Sequence, residues 1–175
     1  MHPQTVPDAT FHTRVCNDSL GGPNPYEWKA VQSADLFAGR RVVVFALPGA
    51  FTPACSESHL PGYEKATDAL YALGVDEVIC IAVNDAFVMF QWAKAQNITR
   101  VRMIPDGNGE FTRKMGMLVD RSATGMGMRS WRYSMLVEDR QITALFAEPG
   151  LSDNPAGVPV KVSGADTMVE YLRQR

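Results

Sequence analysis

Three cysteines are the residues of this sequence best suited to nucleophilic or redox chemistry: Cys16, Cys55 and Cys80. Cys55 ends the segment 52–55, Thr-Pro-Ala-Cys, and a stretch with a helical pattern follows it. If Thr52 is the N-cap of that helix, Pro53 takes the first helical position, where a missing N–H costs nothing. Cys55 then takes the third position, which carries Glu or Gln in a capping box. The spacing therefore puts a thiol where a capping side chain is usual.

A thiol at that position has a chemical advantage. The unpaired backbone N–H groups of the first turn and the positive end of the helix dipole both favour an anion. They stabilise a cysteine as its thiolate, which is the nucleophilic form. A small, buried and inert residue is the more common fate of a free cysteine. The Thr-Pro cap favours a reactive thiolate at Cys55 over that alternative.

The elements that must position Cys55 form an alternating pattern of strands and helices. Residues 42–47 are apolar on both faces, as in a central strand covered by helices, and open α/β sheets place their chemistry beyond such a strand. Within the helix that carries Cys55, Pro61 predicts a kink and Gly74 a stop. Strands are predicted at 42–47, 78–83, 101–104, 131–137 and 142–147, helices at 53–73, 86–94, 111–115 and 165–172, and a preceding hairpin at 11–16 and 27–31. This order predicts an α/β, thioredoxin-like fold, with a mixed central β-sheet flanked by helices, as a single domain over residues 1–175.

Composition and charge exclude several classes of function. The formal net charge is -2, so there is no electrostatic argument for binding nucleic acid or an anionic membrane. No apolar run approaches the length of a membrane span, and no secretory signal is visible at the start. An odd, low number of cysteines does not resemble a secreted disulfide framework. We expect a cytoplasmic protein.

The segment 48–55, Pro-Gly-Ala-Phe-Thr-Pro-Ala-Cys, fits the Pro-x-x-x-Thr-x-x-Cys signature of peroxiredoxins. Its continuation to Tyr63 resembles the peroxiredoxin-5, or plant type II, subfamily, as do the segments 81–88 and 129–135. The resemblance extends over nearly the whole chain from about Phe11. It implies a thioredoxin-like fold and a thiol peroxidase that reduces hydrogen peroxide and alkyl hydroperoxides, with no metal or organic cofactor.

The same resemblance implies a role for each of four residues. Cys55 would be the peroxidatic nucleophile, and Thr52 would hydrogen-bond the incoming peroxide. Arg132 would lie beside the sulfur, and Pro48 would shield the thiolate from water. Fixed donors aimed at the developing charge stabilise such a transition state, and arginine is a permanent cation with several donors. The product on Cys55 would be a sulfenic acid, which a second thiol must reduce.

Three further polar residues allow two interpretations each. Arg129 could be a second cation at the site, although a solvated surface arginine is the more common case. His59 follows Cys55 by one helical turn and shares its face, either as a general base or as a structural hydrogen-bonding residue. We favour the structural role, because nothing nearby resembles a cysteine-protease signature. Asp106 opens the segment Asp-Gly-Asn-Gly, which we interpret as a turn rather than a calcium loop.

The thiol that reduces the sulfenic acid is not evident from the sequence. The resemblance makes Cys80 a candidate resolving cysteine, because plant type II members have a cysteine at this spacing from the peroxidatic one. Its place within an apolar strand, however, predicts a buried, inert thiol. Cys16 is predicted on the polar face of its strand, and nothing places it near Cys55. The C-terminal region 151–157 lacks the resolving cysteine of many animal members. We therefore predict a one-cysteine cycle, with glutathione and glutaredoxin, or thioredoxin, as reductant.

Two other features concern partners and alternatives. The segment 87–92 is apolar almost all round, which predicts a subunit interface. The subfamily that the chain resembles commonly forms homodimers, so the resemblance implies a homodimer. A thiol–disulfide oxidoreductase of the thioredoxin type is the second candidate function. It requires Cys-x-x-Cys, and Thr52 occupies the place of the first cysteine. A thioredoxin-fold redox sensor that binds a partner is the third.

Overall fold

The computed structural model describes residues 2–175, and its largest element is a five-stranded mixed sheet in the order β5-β4-β3-β8-β9. The strands are β1 (Thr10–Cys16), β2 (Tyr26–Gln32), β3 (Arg41–Ala46), β4 (Glu77–Ala82), β5 (Arg102–Pro105), β6 (Leu118–Asp120), β7 (Met128–Ser130), β8 (Tyr133–Glu138) and β9 (Gln141–Ala147). The α-helices are α1 (Ser33–Phe37), α2 (Leu60–Ala72), α3 (Ala86–Ala95), α4 (Glu110–Lys114) and α5 (Ala165–Arg173).

Strand β3 lies at the centre of this sheet. It pairs in parallel with β4 and antiparallel with β8, and residues 42–46 have no exposed area. A strand that is covered on both faces needs apolar side chains on both, which explains why its sequence does not alternate.

Helices cover the sheet on both faces. One face packs against α1, α4 and the β1–β2 hairpin, through a cluster that includes Phe11, Phe37 and Phe111. The other packs against α2, α3 and α5, through Tyr63 and Trp92 among others. The predicted thioredoxin-like arrangement is therefore confirmed. Among residues 2–175, no helix has both the length and the apolar character that crossing a membrane requires.

The predicted strand 131–137 is shorter than expected. It begins at Tyr133, and a separate two-stranded sheet of β6 and β7 precedes it. Three-residue strands are too short to show a period of two, so the sequence did not reveal them. Trp131 and Arg132 consequently lie in the break between β7 and β8, at the carboxyl end of β3.

The predicted helix 53–73 begins at Pro53 but is not uniform. A π-helical turn spans Cys55–His59, where the Leu60 N–H donates to the Cys55 carbonyl, and α2 continues to Ala72. This wide turn precedes Pro61, whose ring cannot follow a regular α-turn. Gly74 adopts φ +83°, which confirms the predicted stop. Single-turn π-bulges within α-helices occur frequently at functional sites.

Candidate active site

A short loop joins β3 to the helix that carries Cys55. Phe51 adopts φ +63°, a left-handed conformation that is uncommon for a residue with a side chain. The Ala50 N–H donates to the Asn84 Oδ1 atom at 2.9 Å, and the Thr52 hydroxyl donates to the Gly49 carbonyl at 2.7 Å. Two side chains therefore hold the loop in a conformation that its backbone would not favour by itself.

Thr52 takes the predicted N-cap position, with Pro53 as the first helical residue, but its side chain does not cap the helix. Its single hydroxyl hydrogen is used on the Gly49 carbonyl, and no N–H of the first turn donates to its oxygen. The helix begins instead through the backbone, since the Ser56 N–H donates to the Thr52 carbonyl at 3.0 Å. The lone pairs of the hydroxyl oxygen thus remain available to accept a hydrogen bond.

The Cys55 side chain points into the protein from the first turn of the helix, and the residue has no exposed area. The Arg132 Nη2 atom donates to the Cys55 sulfur at 3.4 Å. The structure thus brings together the two residues that the sequence separates by 77 positions. A hydrogen bond from a permanent cation favours the thiolate over the thiol.

Three partners fix the Arg132 guanidinium, and the residue is only 2% exposed. Its Nε donates to the Val158 carbonyl at 2.7 Å, and its Nη1 donates to the His59 Nδ1 at 3.0 Å. No carboxylate within residues 2–175 forms a salt bridge with it. A buried cation without a counter-ion is costly, so the structure favours negative charge on the sulfur that the guanidinium faces.

His59 is a neutral, structural residue at this site. Arginine can only donate, so the His59 Nδ1 accepts and its Nε2 carries the hydrogen, which it donates to the Ser163 carbonyl at 3.0 Å. Burial, and then the charge of Arg132, lower the pKa of His59 to about 3. Both ring nitrogens are occupied, which agrees with the structural interpretation and leaves no free nitrogen to take a proton from Cys55.

Sequence reasoning missed a second layer of residues around Arg132 and His59. Val158 and Ser163 contribute only backbone carbonyls, which no side-chain pattern can reveal. The Tyr63 hydroxyl also donates to the Ser163 carbonyl, at 2.9 Å. Glu148 has a signal in the sequence, because it is an acidic residue directly after the apolar end of β9.

Arg129 lies closer to the loop than a solvated surface arginine would. It is half-buried, its Nε donates to the Met126 carbonyl at 2.9 Å, and its guanidinium covers Gly49. A Cβ added at Gly49 would lie 2.6 Å from the Arg129 Nη1 atom, so only glycine admits this approach without displacement. Burial, and then the charge of Arg121, lower the pKa of Arg129. The expectation of a solvated arginine is therefore wrong.

The remaining predicted site residues, Pro48, Cys80 and Cys16, differ in burial and lie in different elements. Pro48 is buried in the loop that follows β3. Cys80 is fully buried within β4, opposite Phe45 in the register, and burial raises its pKa well above the usual value. Cys16 is exposed at the end of β1, and its thiol donates to the Asp18 carboxylate at 3.3 Å. All three cysteines are free thiols.

Asp106 is a structural carboxylate. It is buried, and it accepts from the Thr112 N–H at 2.8 Å and from the Thr112 hydroxyl at 2.7 Å, as well as from the Phe111 N–H. These contacts hold the turn that precedes α4, as the sequence predicts. Across residues 2–175, no group of three or more His, Cys, Asp or Glu side chains is arranged to hold a metal ion.

Comparison with known proteins agrees with this geometry. The family model described as Redoxin matches residues 4–168. The chain is 55% identical over 173 residues to a peroxiredoxin of Synechocystis sp., which covers 99% of this chain and 92% of the relative. Further relatives include a hybrid peroxiredoxin hyPrx5 of Haemophilus influenzae and peroxiredoxin-2B of Arabidopsis thaliana, in agreement with the subfamily resemblance.

Two solved structures are similar over the whole chain. The reduced Prx3 of Vibrio vulnificus in complex with H2O2 superposes with a TM-score of 0.82 at 39% identity, covering 99% of this chain and 96% of that one. The antioxidant protein of Plasmodium falciparum, a 1-Cys peroxiredoxin, superposes with a TM-score of 0.89 at 31% identity, covering 98% of each chain. The chain belongs to the peroxiredoxin family of thiol peroxidases.

Proposed function

We propose that Cys55 is the peroxidatic cysteine and that the protein reduces hydrogen peroxide and alkyl hydroperoxides. The observation that carries this proposal is the 3.4 Å contact between the Arg132 Nη2 atom and the Cys55 sulfur. The thiolate attacks one peroxide oxygen and the O–O bond breaks. The bonding electrons go to the other oxygen, which takes a proton and leaves as water or an alcohol. Cys55 is left as a sulfenic acid.

Thr52 acts on the peroxide, and Arg132 acts on the charge of the reacting sulfur. The Thr52 hydrogen is used on the Gly49 carbonyl, so the hydroxyl oxygen accepts from the peroxide O–H and orients it. The Arg132 guanidinium, held by three partners, stabilises the charge as it moves from sulfur to oxygen. Buried Pro48 helps to exclude water from the thiolate.

The reductant is a second thiol from outside the chain, either glutathione with glutaredoxin or thioredoxin. Cys80 is buried and its burial raises the pKa of its thiol, which disfavours attack on the sulfenic acid. Cys16 is exposed at the end of β1, where its thiol donates to Asp18, and it forms no hydrogen bond with Cys55. Since Cys55 has no exposed area, an external thiol requires a local opening around Cys55 to reach its sulfur. The 1-Cys relative of Plasmodium supports this one-cysteine cycle.

A homodimer is supported by the aromatic surface around α3. Phe87 is 51% exposed, Phe90 is 47% exposed and Trp28 is 59% exposed, and edge contacts join Trp28 to Phe87. Large aromatic side chains left half in water are typical of an interface that a second subunit covers. The low cysteine count and the free thiols support a reducing, cytoplasmic location.

A coupled NADPH assay tests the proposed function. The purified protein is mixed with hydrogen peroxide or an alkyl hydroperoxide, and NADPH consumption is compared between glutaredoxin with glutathione and thioredoxin with its reductase. Turnover with at least one system, abolished in Cys55→Ser, is the expected result. Retained turnover in folded Cys55→Ser would refute the role of Cys55. Disulfide reduction in an insulin assay, without peroxide turnover, would favour the oxidoreductase alternative.

A further inference from the structure

The loop that precedes α5 supplies two of the contacts that orient the site. The Val158 carbonyl accepts from the Arg132 Nε at 2.7 Å, and the Ser163 carbonyl accepts from the His59 Nε2 at 3.0 Å. His59 in turn accepts from Arg132 at 3.0 Å. The direction of the guanidinium therefore depends on where this loop holds its carbonyl groups.

One carboxylate holds this loop. The Glu148 Oε1 atom accepts from the N–H groups of Lys161 at 2.7 Å, of Val162 at 3.0 Å and of Ser163 at 3.0 Å. It also accepts from the Ser163 hydroxyl at 2.7 Å. Glu148 is 3% exposed. Burial would raise its pKa, but the hydrogen bonds from residues 161–163 hold the pKa below its usual value.

The backbone of Glu148 connects this carboxylate to the other side of the site. Its N–H donates to the Arg132 carbonyl at 3.0 Å, and its own carbonyl accepts from the Trp131 Nε1 at 2.8 Å. Glu148 thus contacts both the segment that carries Arg132 and the loop whose carbonyls aim the Arg132 side chain.

We propose that Glu148 is a positioning residue of the peroxidatic site, which acts on Cys55 through the loop 158–163, His59 and Arg132. It touches neither the sulfur nor the peroxide. The proposal rests on the proposed role of Cys55 for its kinetic readout. A displacement of the guanidinium from the sulfur weakens the hydrogen bond that favours the thiolate and the donor that stabilises the transition state.

Glu64 offers a matched control. Its carboxylate also holds a loop, and accepts from the N–H groups of Thr99 at 2.8 Å, of Arg100 at 2.9 Å and of Val101 at 2.9 Å. Its carboxylate forms no hydrogen bond with Cys55, His59 or Arg132. A substitution there disturbs the same kind of anchor at a different place.

The test compares Glu148→Asp, Glu148→Gln and Glu64→Asp. The aspartate keeps the charge but withdraws the carboxylate by one methylene. The glutamine keeps an oxygen at the position of Oε1, and its NH2 group replaces Oε2, which is buried and has no hydrogen-bond partner in Glu148. The first readout is the pH dependence of iodoacetamide alkylation at Cys55, followed by mass spectrometry of its peptide. The second is the rate constant for reaction with hydrogen peroxide. Near-ultraviolet circular dichroism verifies that each variant is folded.

We expect Glu148→Asp to raise the pH midpoint of alkylation by about half a unit and to lower the peroxide rate constant about tenfold. Glu148→Gln and Glu64→Asp should stay within about twofold of the parent protein. Unchanged alkylation and rate in folded Glu148→Asp would overturn the proposal. A loss in Glu148→Gln but not in Glu148→Asp would overturn it in favour of a charge effect, and an equal loss in Glu64→Asp would overturn it in favour of general destabilisation.

The two readouts separate this proposal from the proposed function. Alkylation reports the thiolate of Cys55 without any peroxide. A protein that fails to consume peroxide but shows the alkylation shift in Glu148→Asp alone would refute the peroxidase role of Cys55 while supporting the positioning role of Glu148.

Discussion

The Arg132 guanidinium lies 3.4 Å from the Cys55 sulfur, and its other two partners are neutral: the Val158 carbonyl and the His59 imidazole. Of the three groups that the guanidinium contacts, only the thiol can become negative. This arrangement couples the ionisation of Cys55 to the placement of Arg132, because a displaced guanidinium leaves both groups without their partner.

Arg132→Lys tests whether placement or charge alone is needed. Lysine keeps the cation but has one nitrogen, which cannot reach the Cys55 sulfur, the His59 ring and the Val158 carbonyl together. We expect the rate constant for peroxide, measured by stopped flow, to fall about 100-fold. Arg102→Lys, at an exposed ion pair with Glu77, is the control and should leave the rate unchanged. A rate near that of the parent would show that charge is sufficient.

Thr52→Val removes the hydroxyl at nearly constant volume. The loop loses the 2.7 Å bond to the Gly49 carbonyl, and the peroxide loses its acceptor. We expect the peroxide rate constant to fall about 100-fold, while Thr52→Ser, which restores the hydroxyl, retains most of the rate. Equal losses in the valine and serine variants would point to the methyl group and the loop conformation, and away from the hydroxyl.

Acid should destabilise the folded protein through His59. Its pKa is about 3 when folded and near 6.5 when unfolded, so between these values the unfolded chain binds a proton that the folded protein does not. Stability therefore rises with pH through this window and falls on acidification. From pH 7.5 to 5 we expect the free energy of unfolding, measured in urea, to fall by about 2 kcal/mol.

The variant His59→Gln identifies the source of that slope. It removes the titrating ring, so the fall between pH 7.5 and 5 should largely disappear, whatever the absolute stability of the variant. The exposed His12→Gln should keep the slope of the parent. Carboxylates whose folded pKa is lowered, such as Glu148, change the free energy of unfolding mainly below pH 5. The slope between pH 7.5 and 5 is therefore specific to His59.

The sequence predicted most of the fold, because its central strands are apolar on both faces and its helices have clear start and stop signals. Gly74, for example, ends α2 as expected. Prediction from the sequence failed where tertiary contacts determine the position of a side chain. The Thr52 hydroxyl faces its own loop, and Arg129 approaches a glycine that is distant in sequence. The carbonyls of Val158 and Ser163 are available only because a long loop crosses the site, and no local pattern encodes that.

The one-cysteine cycle predicts that Cys80 and Cys16 are dispensable. Cys80→Ala avoids placing a hydroxyl in the apolar strand and should cost some stability as a small cavity, but it should leave turnover with an external thiol within about twofold. Cys16→Ser, at an exposed position, should change neither the stability nor the turnover. Loss of most turnover in either folded variant, measured in the coupled NADPH assay, would assign that cysteine to the reduction of the sulfenic acid.

The contact between Arg129 and Gly49 predicts a coupled pair of substitutions. Gly49→Ala puts a methyl group 2.6 Å from the Arg129 Nη1 atom and should push the guanidinium away from the loop. Arg129→Gln removes the charge itself. If the half-buried cation supports the nearby thiolate, each substitution should lower the peroxide rate constant about fivefold, and more so at low ionic strength.

The double variant decides whether the two effects share one cause. Both substitutions would act by removing the same charge from the same place, so the double variant should be no slower than Arg129→Gln alone. Additive losses would mean that Gly49→Ala acts through the backbone of the loop, where the Thr52 hydroxyl and the Asn84 amide also bind, and independently of the Arg129 charge. An unchanged rate in Arg129→Gln alone would leave Arg129 without a role in catalysis. Circular dichroism of each variant and a salt series complete the measurement, since a backbone effect would not depend on ionic strength.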